Sequence, residues 1–483
     1  MSKKIGLVVA LGGLCALSLF LLNCGSLSSR PSGVLYVVTQ GTTAQGAPGI
    51  GNNVSSFAMD YDTGNLSLIN SNASTCPTVA TVTNSEPCGL PLDILLDPMG
   101  TTAFVLNQGV PCGQEGVQCP GSSNNPIAPS IYPYTVNSDG SLSNPGTAVT
   151  WTQAPDTAVA MVRDAAGQFL FVIDQGVYPS PTNCPPVGTI NPSDPQYAGC
   201  PSISVFTMQS GSTTLTLASG SPFYLSKIPT ALSAITFTPA GSTTAQELLF
   251  VTNNHDICTT GCNPPHNDDT VSVYTVSSSG VLTEQPNSPY AVAAADPISV
   301  LAVNTSVGGE TAIGGVFVYV GQGVGVGALY PFQVCTAVNA TVCTSQNVAA
   351  NLMVPLATCS SLSCEVPPSS VGQKPVEMLV DPTNNFLYGV SYGSNQVFGF
   401  RINTAAGTLT PLSPVSQPTG SQPVSMALHP TMDIDGNYTG QFLFTSNSAS
   451  SNITGFTLST TTGAMSNPIT VIAPAAPSGM TAH

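Results

Sequence analysis

An all-β chain folded as a seven-bladed β-propeller of four-stranded antiparallel blades is predicted by three observations: a repeated strand pattern, matching chain ends and no sustained helical period. The repeat has copies opening at Val34-Leu35-Tyr36-Val37, Ala103-Phe104-Val105, Phe169-Leu170-Phe171-Val172, Leu249-Phe250-Val251, Val316-Phe317-Val318, Phe386-Leu387-Tyr388 and Phe442-Leu443-Phe444. A unit of this kind cannot bury its own faces and must stack on its neighbours. Gly and Pro recur throughout, and Ser/Thr runs interrupt every apolar period that could make a helix.

One copy shows the order of strands. Lys374–Pro382 is the first strand and its exit, and Thr383-Asn384-Asn385 is a turn. Phe386–Val390 is the second strand, apolar on both faces as a strand sandwiched between blades must be. Gln396–Ile402 alternates as a third strand, and Ala405-Ala406-Gly407 turns into a fourth at Thr408–Pro411. The first copy begins at its second strand. Pro477-Ser478-Gly479-Met480-Thr481-Ala482-His483 repeats the first-strand pattern Pro423-Val424-Ser425-Met426-Ala427-Leu428-His429. The C-terminal strand is therefore expected to complete the first blade, leaving no open blade between the chain's ends.

The cycle Pro-x-x-Met-x-Leu-x-Pro, Leu-Tyr-Val, Val-x-x-Phe and Gly-x-Leu-Thr resembles the seven-bladed lactonase-like propellers, the group of the 6-phosphogluconolactonase-type enzymes and many exported proteins. The resemblance covers almost everything after Pro31 and implies the fold more specifically than the activity. Such enzymes often carry an acidic residue just after the Leu-Tyr-Val strand. Here that place is held mostly by amides, namely Gln40, Gln108, Gln175, Asn254 and Gln322, with Asp174 and Asp256 as partial exceptions.

Lys3 and Lys4 precede an apolar run from Ile5 to Leu22 that ends at Asn23-Cys24-Gly25, the layout of a bacterial lipoprotein signal peptide. The expected organisation is a signal peptide over 1–23, the lipidated Cys24 and a short linker over 24–33, and the propeller over 34–483. An uncleaved membrane anchor is the other reading of the run. Both put the propeller outside the cytoplasm, and Gly25 suits outer-membrane sorting.

Cys15 and Cys24 aside, the cysteines fall into local couples, Cys76/Cys88, Cys112/Cys119, Cys184/Cys200, Cys258/Cys262, Cys335/Cys343 and Cys359/Cys364, which read as disulfides in an oxidising compartment. All but Cys335/Cys343 would sit on one face. That stapled face is expected to bind ligand.

The formal net charge is −16, with 7 Lys and Arg in the chain, so no basic stripe exists to neutralise a nucleic-acid backbone. Polar residues at the first-strand openings are the site candidates: Asp93, Asp156, Ser299, Lys374 with Glu377, and Ser425, joined by Lys227. For a lactonase, Glu377 or Asp156 would be the base and Lys374 or Lys227 the partner of the developing oxyanion. The plainer reading is that they cap strand ends in solvent. Few Arg and His argue against a phosphorylated substrate.

His255, Cys258, Cys262 and His266 have a spacing that zinc could use, but a local disulfide with two surface histidines suits the other couples better. Asp268 and Asp269 would suit calcium; Asp433–Asn437 resembles part of a calcium loop but lacks its bidentate acid and reads as a turn. No cofactor is otherwise implied. Tyr178, Tyr197 and Tyr392 are candidate rim aromatics.

Two functions follow. The first is a lipid-anchored envelope propeller that binds a glycan, a lactone or an envelope protein through its stapled face. The alternative is an exported lactone or sugar-lactone hydrolase at the channel mouth.

Overall fold

The computed structural model describes residues 33–40, 52–74, 90–109, 128–143, 146–151, 157–176, 184, 199–239, 242–256, 269–305, 315–335, 352–356, 366, 368–432, 438–473 and 476–483. The apolar run over 5–22, Cys24, Asp156, Tyr178, Tyr197, His266, Asp268 and residues 433–437 lie outside them. So do Cys76, Cys88, Cys112, Cys119, Cys258, Cys262, Cys343, Cys359 and Cys364.

Seven antiparallel sheets follow one another along the chain. The first contains β1 (Gly33–Gln40), β2 (Asn52–Met59) and β3 (Leu66–Ser74). The second is β4 (Pro91–Leu96), β5 (Thr102–Asn107) and β6 (Ser130–Thr135). The third is β7 (Ala158–Arg163), β8 (Phe169–Asp174), β9 (Ser202–Met208) and β10 (Leu215–Leu217), with β11 (Phe223–Tyr224) beside β9. The fourth is β12 (Lys227–Phe237), β13 (Gln246–Asp256), β14 (Thr270–Val276) and β15 (Leu282–Glu284), with β16 (Tyr290–Ala291) beside β14.

The fifth is β17 (Pro297–Asn304), β18 (Val316–Gln322), β19 (Leu329–Cys335) and β20 (Leu352–Pro355). After a single helical turn, α1 (Pro368–Val371), come β21 (Pro375–Val380), β22 (Phe386–Ser391), β23 (Gln396–Ile402) and β24 (Leu409–Pro418). The seventh sheet is β25 (Pro423–Met432), β26 (Tyr438–Asn447), β27 (Asn452–Leu458) and β28 (Met465–Ile472). The last strand, β29 (Pro477–Ala482), returns to pair with β1, with Tyr36 opposite Thr481 and Val37 opposite Met480. Ring closure is as the matching chain ends predict.

Each first strand touches the first strands of both neighbouring blades, so β29, β4, β7, β12, β17, β21 and β25 form a closed inner circle. The apolar side chains gather into one cluster per blade interface. In β22, Leu387 packs with the fifth blade while Phe386, Tyr388 and Val390 pack with the seventh. This is why second strands carry no polar face.

The turns reinforce the stacking. Gly407, at φ +71°, lies against the Phe317 ring of the fifth blade, and Tyr319 Oη donates to its carbonyl at 2.9 Å. Gly463 repeats the arrangement against Phe386, receiving Tyr388 Oη at 2.8 Å. A Cβ on either glycine would enter the ring, so only glycine permits this approach.

Three buried carboxylates close the turn after a first strand. Asp97 accepts the N–H groups of Thr101 and Thr102, Asp164 that of Phe169, and Asp381 those of Asn385 (2.8 Å) and Phe386 (2.7 Å). Replacing Asp381 with Ala leaves these donors without the charged acceptor. We expect a loss of about 2–3 kcal/mol, measured by urea unfolding.

Candidate active site at the axial channel

Every blade builds the same irregularity into its inner strand. The register of first against second strand slips next to the opening proline: at Pro91/Asp93, Pro229/Ala231, Pro297/Ser299, Pro375/Glu377 and Pro423/Ser425, and at Ala158/Ala160 where Ala replaces Pro. In β29 the slip falls between Pro477 and Met480. Proline has no N–H for the ladder, and a bulge beside it re-aims the side chain that follows. The residue two places after the opening one thus forms a ring around the axis: Gly479, Asp93, Ala160, Ala231, Ser299, Glu377 and Ser425, in blade order.

Two members of this ring are carboxyls. Glu377 Oε2 accepts the Met426 N–H of the next blade at 2.6 Å, and the Ser425 hydroxyl donates to the same carboxyl. Ser425 Oγ in turn accepts the Met480 N–H at 3.3 Å, so the closing strand helps fix the acid's orientation. Asp93 Oδ1 accepts its own strand's Ile94 N–H at 2.8 Å. Gly479 stands beside it: a Cβ there would come within 2.5 Å of the Asp93 Cα and 2.9 Å of Oδ1. Glycine at 479 is what lets β29 and β4 approach at this level.

Both carboxyls are enclosed by protein, with partial access from the axis. Desolvation pushes Asp93 up to about 7. Glu377 is pushed up to about 8, by desolvation first and by the negative charge of Asp93 second, against the opposing hydrogen bonds from Met426 and Ser425. Burial raises both, the charge of Asp93 raises Glu377 further, and the two titrate as a coupled pair.

The other expected site residues occupy the same end of the ring in lesser roles. Ser299 donates to Pro375 O at 2.6 Å and staples the fifth blade to the sixth. Lys374 is exposed at the mouth in a left-handed conformation (φ 54°), its carbonyl accepting the Tyr392 N–H at 2.9 Å. Lys227 opens β12 opposite Asp256 and is half-buried. Tyr392 is half-buried beside Lys374.

The amides that stand where the resemblance implies acids have structural partners. Gln175 Nε2 donates to Pro229 O of the next blade at 3.2 Å, and Asn254 Nδ2 to Asp296 Oδ1 at 2.9 Å. Asp174 accepts the Trp151 indole N–H at 3.0 Å within a buried pocket.

Cys184 and Cys200 form a disulfide with a Cα–Cα distance of 5.6 Å, and Cys335 is disulfide-bonded as well. Among the described residues no group of three or more His, Cys, Asp or Glu is arranged to hold a metal ion.

Sequence reading named both acids but not the parts that set them, Gly479 and the Ser425–Met480 link. The signal was present as the shared offset from each strand-opening proline.

The native chain holds protons on Asp93 and Glu377 that the unfolded chain releases from about pH 4 upward. Stability from the pair is full below that value and is lost as pH rises through 7 and 8. Burial shifts His429 down, so its contribution runs the other way, lost as pH falls below the ordinary histidine value. Comparison with a variant isolates the pair. Between pH 5 and 9 the wild-type melting temperature should fall relative to that of Asp93→Asn/Glu377→Gln; parallel curves would mean the pair is not protonated in the fold.

The family of lactonases with a seven-bladed β-propeller matches residues 363–483. No curated protein matches the chain in sequence. Among solved structures, the periplasmic gluconolactonase of Pseudomonas aeruginosa is 15% identical with a TM-score of 0.53, covering 93% of this chain and 98% of its own. A candidate 6-phosphogluconolactonase from Bacteroides fragilis is 13% identical with a TM-score of 0.51, covering 95% of this chain and 100% of its own. A protein from Lactobacillus plantarum is 12% identical with a TM-score of 0.53 over 93% and 99%. At these identities the structures show the fold, a seven-bladed β-propeller, and the segment 363–483 is similar to the lactonase family.

Proposed function

We propose that this protein is a lactone hydrolase working at the axial channel, with Asp93 as general base and Glu377 as general acid. The observation that carries the reading is the ring position shared by two enclosed carboxyls, both raised toward neutrality, a coupled pair that can hold one proton and one charge. The lactonase match over β21 to β29, which includes Glu377, Ser425 and Gly479, supports it. The binding-scaffold reading drew on the stapled loops, most of whose cysteines lie outside the described residues.

Ionised Asp93 takes a proton from water as the water oxygen bonds to the lactone carbonyl carbon. The ring C–O bond then breaks, and Glu377 gives its proton to the departing alkoxide. Water and lactone become one hydroxy acid, and proton exchange with solvent restores the pair. The Lys374 ammonium, three residues before Glu377 and exposed at the mouth, is the candidate to offset negative charge on the carbonyl oxygen.

The Cys184–Cys200 disulfide suits an oxidising compartment, and the Pseudomonas relative is periplasmic by name. We therefore place the propeller outside the cytoplasm, as the lipoprotein-like leader would.

A pH-stat assay of oxidised protein against glucono-δ-lactone and alkyl δ-lactones tests the reading. Proton release should exceed the spontaneous rate, with a bell-shaped kcat/KM profile peaking between about pH 7 and 8. Asp93→Asn and Glu377→Gln should each lower kcat by roughly 100-fold or more. Unchanged turnover in both folded variants would remove the pair from the mechanism.

A further inference from the structure

We infer that the end of the ring opposite the channel mouth docks on a lipid surface through Tyr61, Leu68 and Met99, held there by the leader that precedes Gly33. In each blade the first strand runs from its opening residue at the mouth to the far end, and the second strand returns. Gly33, at the start of β1, therefore lies at the far end. Val34 exchanges two N–H···O bonds of 2.9 Å with His483 there, whereas Thr39 stands opposite Pro477 at the mouth. Both readings of the leader, a lipid on Cys24 or a span ending at Leu22, put the membrane close to Gly33. At full extension the chain from either point to Gly33 reaches about 30–40 Å. The strand β1 is itself about 26 Å long. Turning the mouth to the membrane would consume most of that reach in passing the blade, and turning the far end to it asks for none.

The far end is apolar where the chain enters. Tyr61 (42% exposed) is on the turn after β2, Leu68 (56%) is near the start of the edge strand β3, and Met99 (64%) is on the turn after β4. All three belong to the far end of the first two blades, and their turns surround the entry. A Cβ on Gly33 would meet the His429 ring and Met59 Cε, and the Tyr61 ring lies 5.6 Å from that of His429. A Cβ on Gly100, beside Met99, would enter the His483 ring. The other exposed large hydrophobics among the described residues are Val324, Val326 and Ile472. These lie at the mouth end of the fifth and seventh blades, parted by the sixth. Apolar side chains kept together beside the anchoring point, one of them an exposed tyrosine, suit the boundary between headgroups and acyl chains.

Charge selects the lipid. Arg163, Lys227, Lys374 and Arg401 are the only Lys or Arg after Gly33, and none belongs to the first two blades. Asp60, Asp62 and Asp139 do sit on the far turns of these blades. Asp60 Oδ1 accepts the N–H groups of Asp62 and Thr63, and Asp139 Oδ1 that of Ser141, so these carboxylates are folded onto their own turns. Nothing here attracts anionic headgroups, and the surface that fits is electroneutral. Three side chains are too few to capture a free propeller, but tethering raises their local concentration at the bilayer and lets them set its orientation. The mouth with Asp93 and Glu377 then opens to water, away from the lipid. Docking does not depend on the chemistry at that mouth.

The test uses the full chain, produced with its own leader and reconstituted in dioleoylphosphatidylcholine vesicles with and without dibrominated phosphatidylcholine, a short-range quencher of tryptophan. The variants are Tyr61→Trp, Met99→Trp and, at the mouth end, Val326→Trp. The native Trp151 is buried against Asp174 and supplies the background. Brominated lipid should cut the emission of the tryptophan added at 61 or 99 roughly 2-fold and change that at 326 by less than about 10%. Leu68→Gln/Met99→Gln, at two exposed positions, should roughly halve the quenching of Tyr61→Trp without moving the melting temperature. Replacing about a third of the lipid by phosphatidylglycerol should lower the quenching as well. Quenching that rises with phosphatidylglycerol would overturn the electroneutral class, and quenching unaffected by the double substitution would overturn the role of the patch. Quenching strongest at 326, a chain that floats with the vesicles but is quenched at neither 61 nor 99, or a chain that does not float with them would each overturn the docking.

Discussion

A strand with no polar face can exist in water only if both sides are covered, and this requirement governs the whole molecule. Phe386 to Val390 must be roofed by one blade and floored by another, and the same holds for every second strand. One blade cannot meet the demand alone, and an open stack would leave two faces bare. Closing the circle is the solution that satisfies every strand at once, which is why the last six-residue strand pairs with the first. Leu35 and Val37 of β1 then share a cluster with Phe442 and Phe444 of the seventh blade, across the two ends of the chain.

Closure brings the inner strands edge to edge around an axis, where the geometry is tightest. There the backbone is tied from blade to blade by single hydroxyls, Thr230, Ser299 and Ser478, each reaching a proline carbonyl. Proline at the strand opening removes one ladder donor and the bulge turns the next side chains toward the axis, so the same local rule supplies both staples and reactive groups. The ring position tolerates Gly, Ala or Ser in five blades. In the other two it holds a carboxyl, which burial there works against ionising.

Much of this was legible from the residues. Continuous apolar triplets recurring along the chain pointed to seven blades, and the likeness of Pro477–His483 to Pro423–His429 pointed to the closure. Cys184 and Cys200, sixteen residues apart, pair as their spacing suggested. Asp93 and Glu377 stood out as acids near strand openings, but their coupling was not legible, because they lie far apart in sequence and feel each other's charge only through the curvature of the ring. The amides Gln175 and Asn254, which stand where the resemblance implies acids, bridge neighbouring blades, a role that their sequence positions did not reveal.

Placing two like-charged groups in one enclosed space is unfavourable, and the cost is useful. Neither carboxyl can ionise with the ease it has in water, and once one has done so the other is held back further. The surroundings of the two differ among the described residues: Asp93 accepts its own strand's Ile94 N–H, while Glu377 is bonded by the next blade's Met426 and Ser425. Those two bonds favour the charged form of Glu377, yet desolvation and the charge of Asp93 outweigh them, and the proton is held more tightly than on an ordinary carboxylate. Any change that lets water into the ring, such as a slack closing strand at Met480, would relax desolvation on both groups at once and pull both values back toward those of ordinary carboxylates. The raised proton affinity of both carboxyls is therefore a property of the closed circle rather than of either residue, which ties it to the same constraint that makes the fold.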